Sequence, residues 1–142
     1  MRESNSEKPS EITKMGLVLV VEDDESIHSL LEIILIEDGY RVKITRNGQE
    51  ALDYLAQTEE QPVLILLDLT MPVMNGQEFL KRLKLREDKP GIPVILMTAS
   101  RQKLAEEVEG AIVDYLPKPF ELDELLERVE RFTRLHNEAA SD

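Results

Sequence analysis

The sequence has no cysteine and no tryptophan, and only 4% of its 142 residues are aromatic. Without cysteine, the chain has neither a disulfide framework nor a thiolate that could act as nucleophile or metal ligand. No apolar run approaches the roughly 20 residues that a membrane-spanning helix needs. Residues 1–14 lack the apolar core of a signal peptide. These absences favour a cytoplasmic protein that does not enter a membrane.

Positive charge is also scarce. The chain carries 17 Lys and Arg residues against 29 Asp and Glu residues, a formal net charge of -12 at pH 7. Nucleic-acid binding requires clustered positive charge, and no basic stripe interrupts the acidity, so direct nucleic-acid binding is not expected. Overall acidity favours solubility, while carboxylates crowded at one place attract divalent cations.

Five short segments have the composition of β-strands. The first, third and fourth are apolar throughout, as expected of strands that are buried on both faces of a sheet. The second is more polar, which predicts a position at the edge of the sheet. The five segments are residues 17–21, 40–45, 63–67, 94–97 and 112–116.

Helical patterns alternate with these strands, because apolar residues recur at three- and four-residue spacings. The pattern predicts five helices, of which the fourth is a short stretch near 102–109. The apolar positions of the other four are Ile27, Leu30, Leu31, Ile34 and Leu35; Ala51, Leu52 and Leu55; Phe79, Leu80 and Leu83; and Leu122, Leu125, Leu126, Val129 and Phe132. Either Asp24 or Ser26 can cap the first helix, Gly39 ends it, and Asn47-Gly48 begins the second.

Alternating strands and helices with apolar strands predict an α/β fold. The expected form is a doubly wound, five-stranded parallel sheet with helices on both faces. We expect a flexible arm at residues 1–14, one domain at 15–137 and a short tail at 138–142.

Polar residues stand where the predicted strands end. Glu22 and Asp23 follow the first strand, Asp68 the third and Thr98 the fourth, while Lys118 comes after the fifth. In doubly wound sheets, ligands bind beyond the carboxyl ends of the strands, at the point where the strand order reverses. If the order is 2-1-3-4-5, the first and third strands flank that point, and their three carboxylates converge.

Three carboxylates in one pocket repel each other unless a proton or a cation compensates. Mg²⁺ suits such a pocket, because it prefers hard oxygen ligands and is often held by carboxylates together with a phosphate. A carboxylate can also attack phosphorus to give an aspartyl phosphate. Phosphoryl transfer depends mainly on positioning and charge neutralisation, to which the Lys118 ammonium and the Thr98 hydroxyl can contribute.

The motifs at these strand ends resemble the receiver domains of two-component response regulators. They are Val20-Val21-Glu22-Asp23-Asp24, Leu67-Asp68-Leu69-Thr70-Met71-Pro72-Val73-Met74-Asn75-Gly76, Met97-Thr98-Ala99 and Lys118-Pro119-Phe120. The resemblance extends from about Leu17 to Leu135, and it implies the flavodoxin-like strand order 2-1-3-4-5.

The resemblance also implies a role for each residue of the pocket. Asp68 is the phosphoacceptor, and a sensor histidine kinase or a histidine phosphotransfer protein is the donor. Asp23 and Asp68 bind Mg²⁺ directly and Glu22 binds it through water. The backbone carbonyl of Thr70 completes the protein ligands, and Lys118 pairs with the phosphoryl group.

A conformational switch is implied in the same way. On phosphorylation, Thr98 moves toward the phosphate, and Tyr115 turns inward to fill the space that Thr98 leaves. Lys118 is expected to precede a cis peptide bond to Pro119. The protein is therefore expected to be a signalling switch, which assists its own phosphorylation, rather than an enzyme.

Two features bear on how the switch would behave. The segment between Thr98 and Lys118 is shorter than the family pattern, which affects the expected signalling face and leaves the pocket intact. Thr70 and Ser100 carry neither an amide nor a carboxylate that could orient water, so we expect slow self-dephosphorylation.

Other interpretations remain open. A Mg²⁺-dependent phosphatase with an Asp68 nucleophile would usually carry a second carboxylate two residues on, where this chain has Thr70. Flavin or nucleotide binding lacks a glycine-rich phosphate loop. The sequence is compatible with a homodimer, and with a receiver that acts alone or belongs to a longer protein. It does not name the kinase or the downstream target.

The remaining candidate ligands are two histidines and a group of methionines. We expect His28 and His136 to be surface residues, with His28 on the exposed side of the first helix. Met71, Met74 and Met97 are expected to pack in the interior rather than to form a binding surface.

Overall fold

The computed structural model describes residues 16–69, 74–86, 91–98 and 112–141, with the side chains of 113 and 135–141 left aside. Within these ranges the chain forms five strands and four helices. In chain order they are β1 (Leu17–Val21), α1 (Glu25–Glu37), β2 (Arg41–Thr45), α2 (Gly48–Gln57), β3 (Leu64–Asp68), α3 (Gly76–Lys84), β4 (Val94–Thr98), β5 (Ile112–Pro117) and α4 (Leu122–Ser141).

All five strands are parallel and form one sheet in the order β2-β1-β3-β4-β5, which confirms the predicted order 2-1-3-4-5. The polar strand β2 lies at an edge, as predicted. Val21 pairs with Leu67 in the neighbouring strand β3, so β1 and β3 end at the same level. The residues that follow β1 therefore lie beside Asp68.

Both faces of the sheet are covered, because alternate side chains of each strand point to opposite sides. One face packs against α2 and α3, mainly through Ala51, Leu55, Phe79 and Leu80. The other packs against α1 and α4, mainly through Leu31, Leu35, Leu125 and Val129. The three apolar strands β1, β3 and β4 are buried along their whole length, which explains why their sequences do not alternate.

The ends of α1 are set by local hydrogen bonds. Of the two candidate caps, Asp24 is the one used: its Oδ1 accepts from the backbone N–H groups of Ser26 at 3.0 Å and Ile27 at 3.2 Å. Gly39 ends the turn after the helix with a φ of 103°, a left-handed conformation that glycine adopts without strain.

The expectation that His28 is a surface residue was wrong. His28 is only 7% exposed and lies on the buried face of α1 together with Leu31 and Leu35, whereas Leu30 is 44% exposed. The reason is that α1 carries aliphatic residues all around its axis, so their spacing does not determine which side faces the sheet.

Several predictions concern residues outside the described ranges. These are the arm at 1–14, Thr70, Met71, Ser100 and the short helix near 102–109, and the side chain of His136 is likewise not described. Met74 and Met97 are buried, as expected. The domain boundaries stay predictions. In the described part of the chain, no helix combines the length and the apolar character needed to cross a membrane.

Candidate metal and phosphorylation site

Three carboxylates meet at the carboxyl ends of β1 and β3. Glu22 and Asp23 directly follow β1, and Asp68 is the last residue of β3. One carboxylate oxygen from each residue lies within 4.8 Å of the other two. These hard oxygen donors, gathered within the reach of one ion, are the kind of ligand that Mg²⁺ takes in proteins.

Lys118 brings a positive charge to the same pocket from the end of β5. Its Nζ donates to Glu22 Oε1 at 2.7 Å and lies 3.6 Å from Asp68 Oδ2. The Lys118 backbone N–H donates to the Thr98 carbonyl at 2.9 Å, and the predicted cis bond to Pro119 is present. In the described structure the ammonium therefore pairs more closely with Glu22 than with Asp68.

The carboxyl group of Glu22 is completely buried. Its Oε2 accepts from the Asp24 backbone N–H at 3.2 Å, and its own N–H donates to the Thr45 carbonyl at 3.0 Å. Burial raises the pKa of Glu22 to about 7, helped by the charge of Asp68 and opposed by the hydrogen bonds from Lys118 and Asp24. Near neutral pH, Glu22 therefore takes up a proton readily unless a cation offsets its charge.

Lys118 stays charged in this setting. Burial alone would lower its pKa, but the hydrogen bond and charge of Glu22, together with the charge of Asp68, outweigh burial and raise the pKa of Lys118. One ammonium against three carboxylates leaves an excess of negative charge when all are ionised. A divalent cation would compensate that excess, so the donor set and the electrostatics both fit a Mg²⁺ site.

The sequence matches the family described as Response regulator receiver domain over residues 18–130. The chain belongs to this family. Its 39% identity over 130 residues to the "Uncharacterized transcriptional regulatory protein YkoG" of Bacillus subtilis (strain 168) covers 89% of this chain and 55% of YkoG. The chain spans about half the length of the curated relatives it matches.

Solved receiver structures share this fold. The response regulator TrrA from Thermotoga maritima, in complex with Mg(2+)-BeF, superimposes with a TM-score of 0.71 at 31% identity over 83% of this chain and 99% of TrrA. The receiver domain of sensor histidine kinase PA1611 from Pseudomonas aeruginosa PAO1 has a magnesium ion coordinated in its active site cleft. It aligns with a TM-score of 0.71 at 28% identity, over 83% of this chain and 97% of that chain.

The two predicted switch residues of this receiver lie on adjacent strands. Thr98 ends β4 and is buried, and Tyr115 lies half-buried in β5. Tyr115 pairs with Leu96, two residues before Thr98, so both side chains point to the α2–α3 face of the sheet. Two side chains on the same face of adjacent strands can move together, as the predicted switch needs. The switch itself stays a prediction.

Two contributors to the pocket were missed by the sequence analysis. Thr45, at the end of the edge strand β2, accepts the Glu22 backbone N–H, and nothing in the sequence of β2 indicates that contact. Gly76, the first residue of α3, donates its N–H to the Leu69 carbonyl at 2.9 Å. A Cβ at Gly76 would lie 2.8 Å from Leu69 Cα and 3.0 Å from the Asp68 carbonyl. For Gly76, the Asn75-Gly76 pair was the signal in the sequence that a helix begins there.

Proposed function

We propose that this receiver domain accepts a phosphoryl group on Asp68 in a Mg²⁺-dependent reaction and passes the signal to a partner through a change of conformation. The observation that carries the proposal is the meeting of Glu22, Asp23 and Asp68 within 4.8 Å, next to the ammonium of Lys118. Membership of the receiver family supports it.

The proposed reaction is a displacement at phosphorus. A carboxylate oxygen of Asp68 attacks the phosphorus of a phosphohistidine, an O–P bond forms, the P–N bond breaks, and the imidazole leaves with its electron pair. Lys118 Nζ, 3.6 Å from Asp68 Oδ2, is close enough to pair with an oxygen of the transferred group. Its charge would stabilise the negative charge of the phosphoryl oxygens.

Glu22, Asp23 and Asp68 would hold the metal, together with the carbonyl of Thr70, which lies outside the described residues. When bound, Mg²⁺ neutralises the carboxylates and the incoming phosphoryl oxygens. The TrrA structure is a complex with Mg(2+)-BeF, and the PA1611 receiver has a magnesium ion in its active site cleft, which supports this assignment. Thr98 would bind a phosphoryl oxygen through its hydroxyl, and Tyr115 would follow its movement.

The partner implied by this chemistry is a protein that carries a phosphohistidine, either a sensor histidine kinase or a histidine phosphotransfer protein. The PA1611 receiver belongs to a sensor histidine kinase, which shows that such domains also occur within kinases. The cytoplasm is the expected location. A homodimer remains compatible with the proposal, and direct contact with nucleic acid or membrane is not part of it.

The test uses acetyl phosphate as a small phosphodonor. Incubated with Mg²⁺ and acetyl phosphate, the wild-type chain should gain one phosphoryl group by intact mass, and Asp68→Asn should gain none. Equal labelling of both proteins would overturn the assignment of Asp68. Steady turnover of a small phosphoester that is lost in Asp68→Asn would indicate a phosphatase instead.

A further inference from the structure

Gly48, the first residue of α2, contacts the loop that follows Asp68. We call residues 69–75, between β3 and α3, the acceptor loop; its described residues are Leu69 and Met74–Asn75. The Gly48 backbone N–H donates to the Met74 carbonyl at 3.3 Å. The first N–H groups of a helix have no partner within the helix, and here one of them holds the acceptor loop.

The contact leaves no room for a side chain at Gly48. A Cβ there would lie 2.9 Å from Met74 Cγ, 3.0 Å from its Sδ and 3.1 Å from its carbonyl oxygen. Gly48 is not among the glycines with positive φ, so its backbone conformation does not require glycine. Helix preference even favours alanine over glycine. The close approach of Met74 is therefore the physical reason for a glycine at this position.

Both sides of the contact are fixed by caps. Asn47 Oδ1 accepts from the Glu50 N–H at 2.8 Å, and Glu50 Oε1 accepts from the Arg46 N–H at 2.8 Å, which fixes the start of α2. Met74 is buried in the core, and Asn75 caps α3. A side chain added at Gly48 would therefore press on Met74 and the acceptor loop rather than move away.

We infer that Gly48 is a positioning residue for phosphoryl acceptance and that it acts on Asp68 through Met74 and Gly76. The inference rests on the proposed function. Met74 lies two residues before Gly76, which donates its N–H to the Leu69 carbonyl and packs against the Asp68–Leu69 backbone. Displacing Met74 would therefore shift Gly76 and, through it, the backbone of Asp68. Reaction rates are sensitive to such shifts, because attack requires close alignment.

The test compares two glycine-to-alanine variants. Gly48→Ala introduces the contact with Met74, whereas Gly91→Ala is a matched control, because no described atom lies within 4 Å of a Cβ built on Gly91. Phosphorylation by acetyl phosphate at saturating Mg²⁺ is followed by intact mass, at a temperature where urea titration shows each variant to be folded. Gly48→Ala should react about five- to tenfold more slowly than wild type, and Gly91→Ala at the wild-type rate.

The double variant Gly48→Ala with Met74→Ala separates positioning from general destabilisation. It removes Met74 Cγ and Sδ, the two atoms nearest the added methyl group, so the rate should recover at least half of its loss. Its stability should fall further, because a buried side chain is truncated. A role confined to stability predicts that rate and stability fall together.

Three results would overturn the inference. The first is a Gly48→Ala variant that reacts at the wild-type rate, and the second is a double variant as slow as Gly48→Ala. In both cases wild type still gains its phosphoryl group and the proposed function stands. The third is a wild type that gains no phosphoryl group, which overturns the proposed function and this inference with it.

Discussion

Asp23 differs from its two neighbours in the pocket because its side chain is exposed, whereas Glu22 and Asp68 are buried. Asp23→Asn would remove a like charge from the pocket without exposing new apolar surface. We expect the metal-free variant to be more stable than wild type by about 0.5–1 kcal/mol, measured by urea unfolding in a chelator. Added Mg²⁺ should stabilise wild type and have much less effect on the variant.

Asp53→Asn provides the control for this comparison. Asp53 is exposed on α2, and its Oδ1 accepts from Gln49 Nε2 at 2.9 Å, so the change removes the same charge away from the pocket. This variant should respond to Mg²⁺ as wild type does. If both variants lose the response equally, Asp23 is not a specific part of the metal site.

Glu22 should make the stability of the metal-free protein depend on pH. Burial raises its pKa from the ordinary value of 4.5 to about 7, so between these values the folded state holds a proton that the unfolded state has released. The contribution of Glu22 to the free energy of unfolding is complete below pH 4.5 and is lost as the pH rises through about 7. From pH 5 to pH 8, wild type should lose on the order of 2 kcal/mol relative to Glu22→Gln.

Urea unfolding of both proteins in a chelator, at a series of pH values, checks this expectation. The groups other than Glu22 are the same in the two proteins, so the difference between the two curves isolates its titration. Curves that stay parallel from pH 5 to pH 8 would show that the pKa of Glu22 is not raised by folding.

At the scale of the elements, an N-terminal cap holds the start of α3 beside the pocket. Asn75 Oδ1 accepts from the Glu78 N–H at 2.9 Å, and the next residue, Gly76, packs against the Asp68–Leu69 backbone. Asn75→Ala should lower the free energy of unfolding by about 1 kcal/mol, because the cap is lost. Asn75→Ser retains a capping oxygen and should lose only a few tenths. Equal losses in the two variants, measured by urea unfolding, would rule out the cap as the cause.

The strands β1, β3 and β4 could be predicted from the sequence, because each is a short apolar run that ends at or before a polar residue. The exposed side of α1 could not, since aliphatic residues at Ile33, Ile34 and Ile36 continue the apolar pattern around the helix. Tertiary packing then decides that His28 is buried together with Leu31 and Leu35, and that Leu30 is exposed. Only tertiary contacts carry that information.

The pocket was predictable in part for a topological reason. Parallel strands end at one edge of the sheet, so the position of Glu22, Asp23 and Asp68 after apolar runs, together with the strand order 2-1-3-4-5, was sufficient to bring them together. The closer pairing of Lys118 with Glu22 depends on the path of the chain after β5, which no local pattern encodes. The contact between Gly48 and Met74 likewise joins two helix starts that are distant in sequence.

At the scale of the whole molecule, α4 packs next to β5, the strand that carries Tyr115. Arg128 Nη1 donates to the Tyr115 carbonyl at 2.7 Å, and Arg128 Nε lies 3.3 Å from Asp114 Oδ2. Further along α4, the Tyr40 and Thr133 hydroxyl groups are hydrogen-bonded at 3.1 Å in the core. The strand that carries Tyr115 is thus tied to a helix that also contacts Tyr40, the residue just before β2.

The central claim is that the carboxylates gathered by the strand order make phosphorylation of Asp68 depend on a bound divalent cation. The most direct measurement is the rate at which wild type gains a phosphoryl group from acetyl phosphate, followed by intact mass across a Mg²⁺ titration that starts in excess chelator. We predict no measurable labelling in chelator and a rate that rises with Mg²⁺ and saturates. Labelling at the same rate with and without Mg²⁺ would contradict the claim.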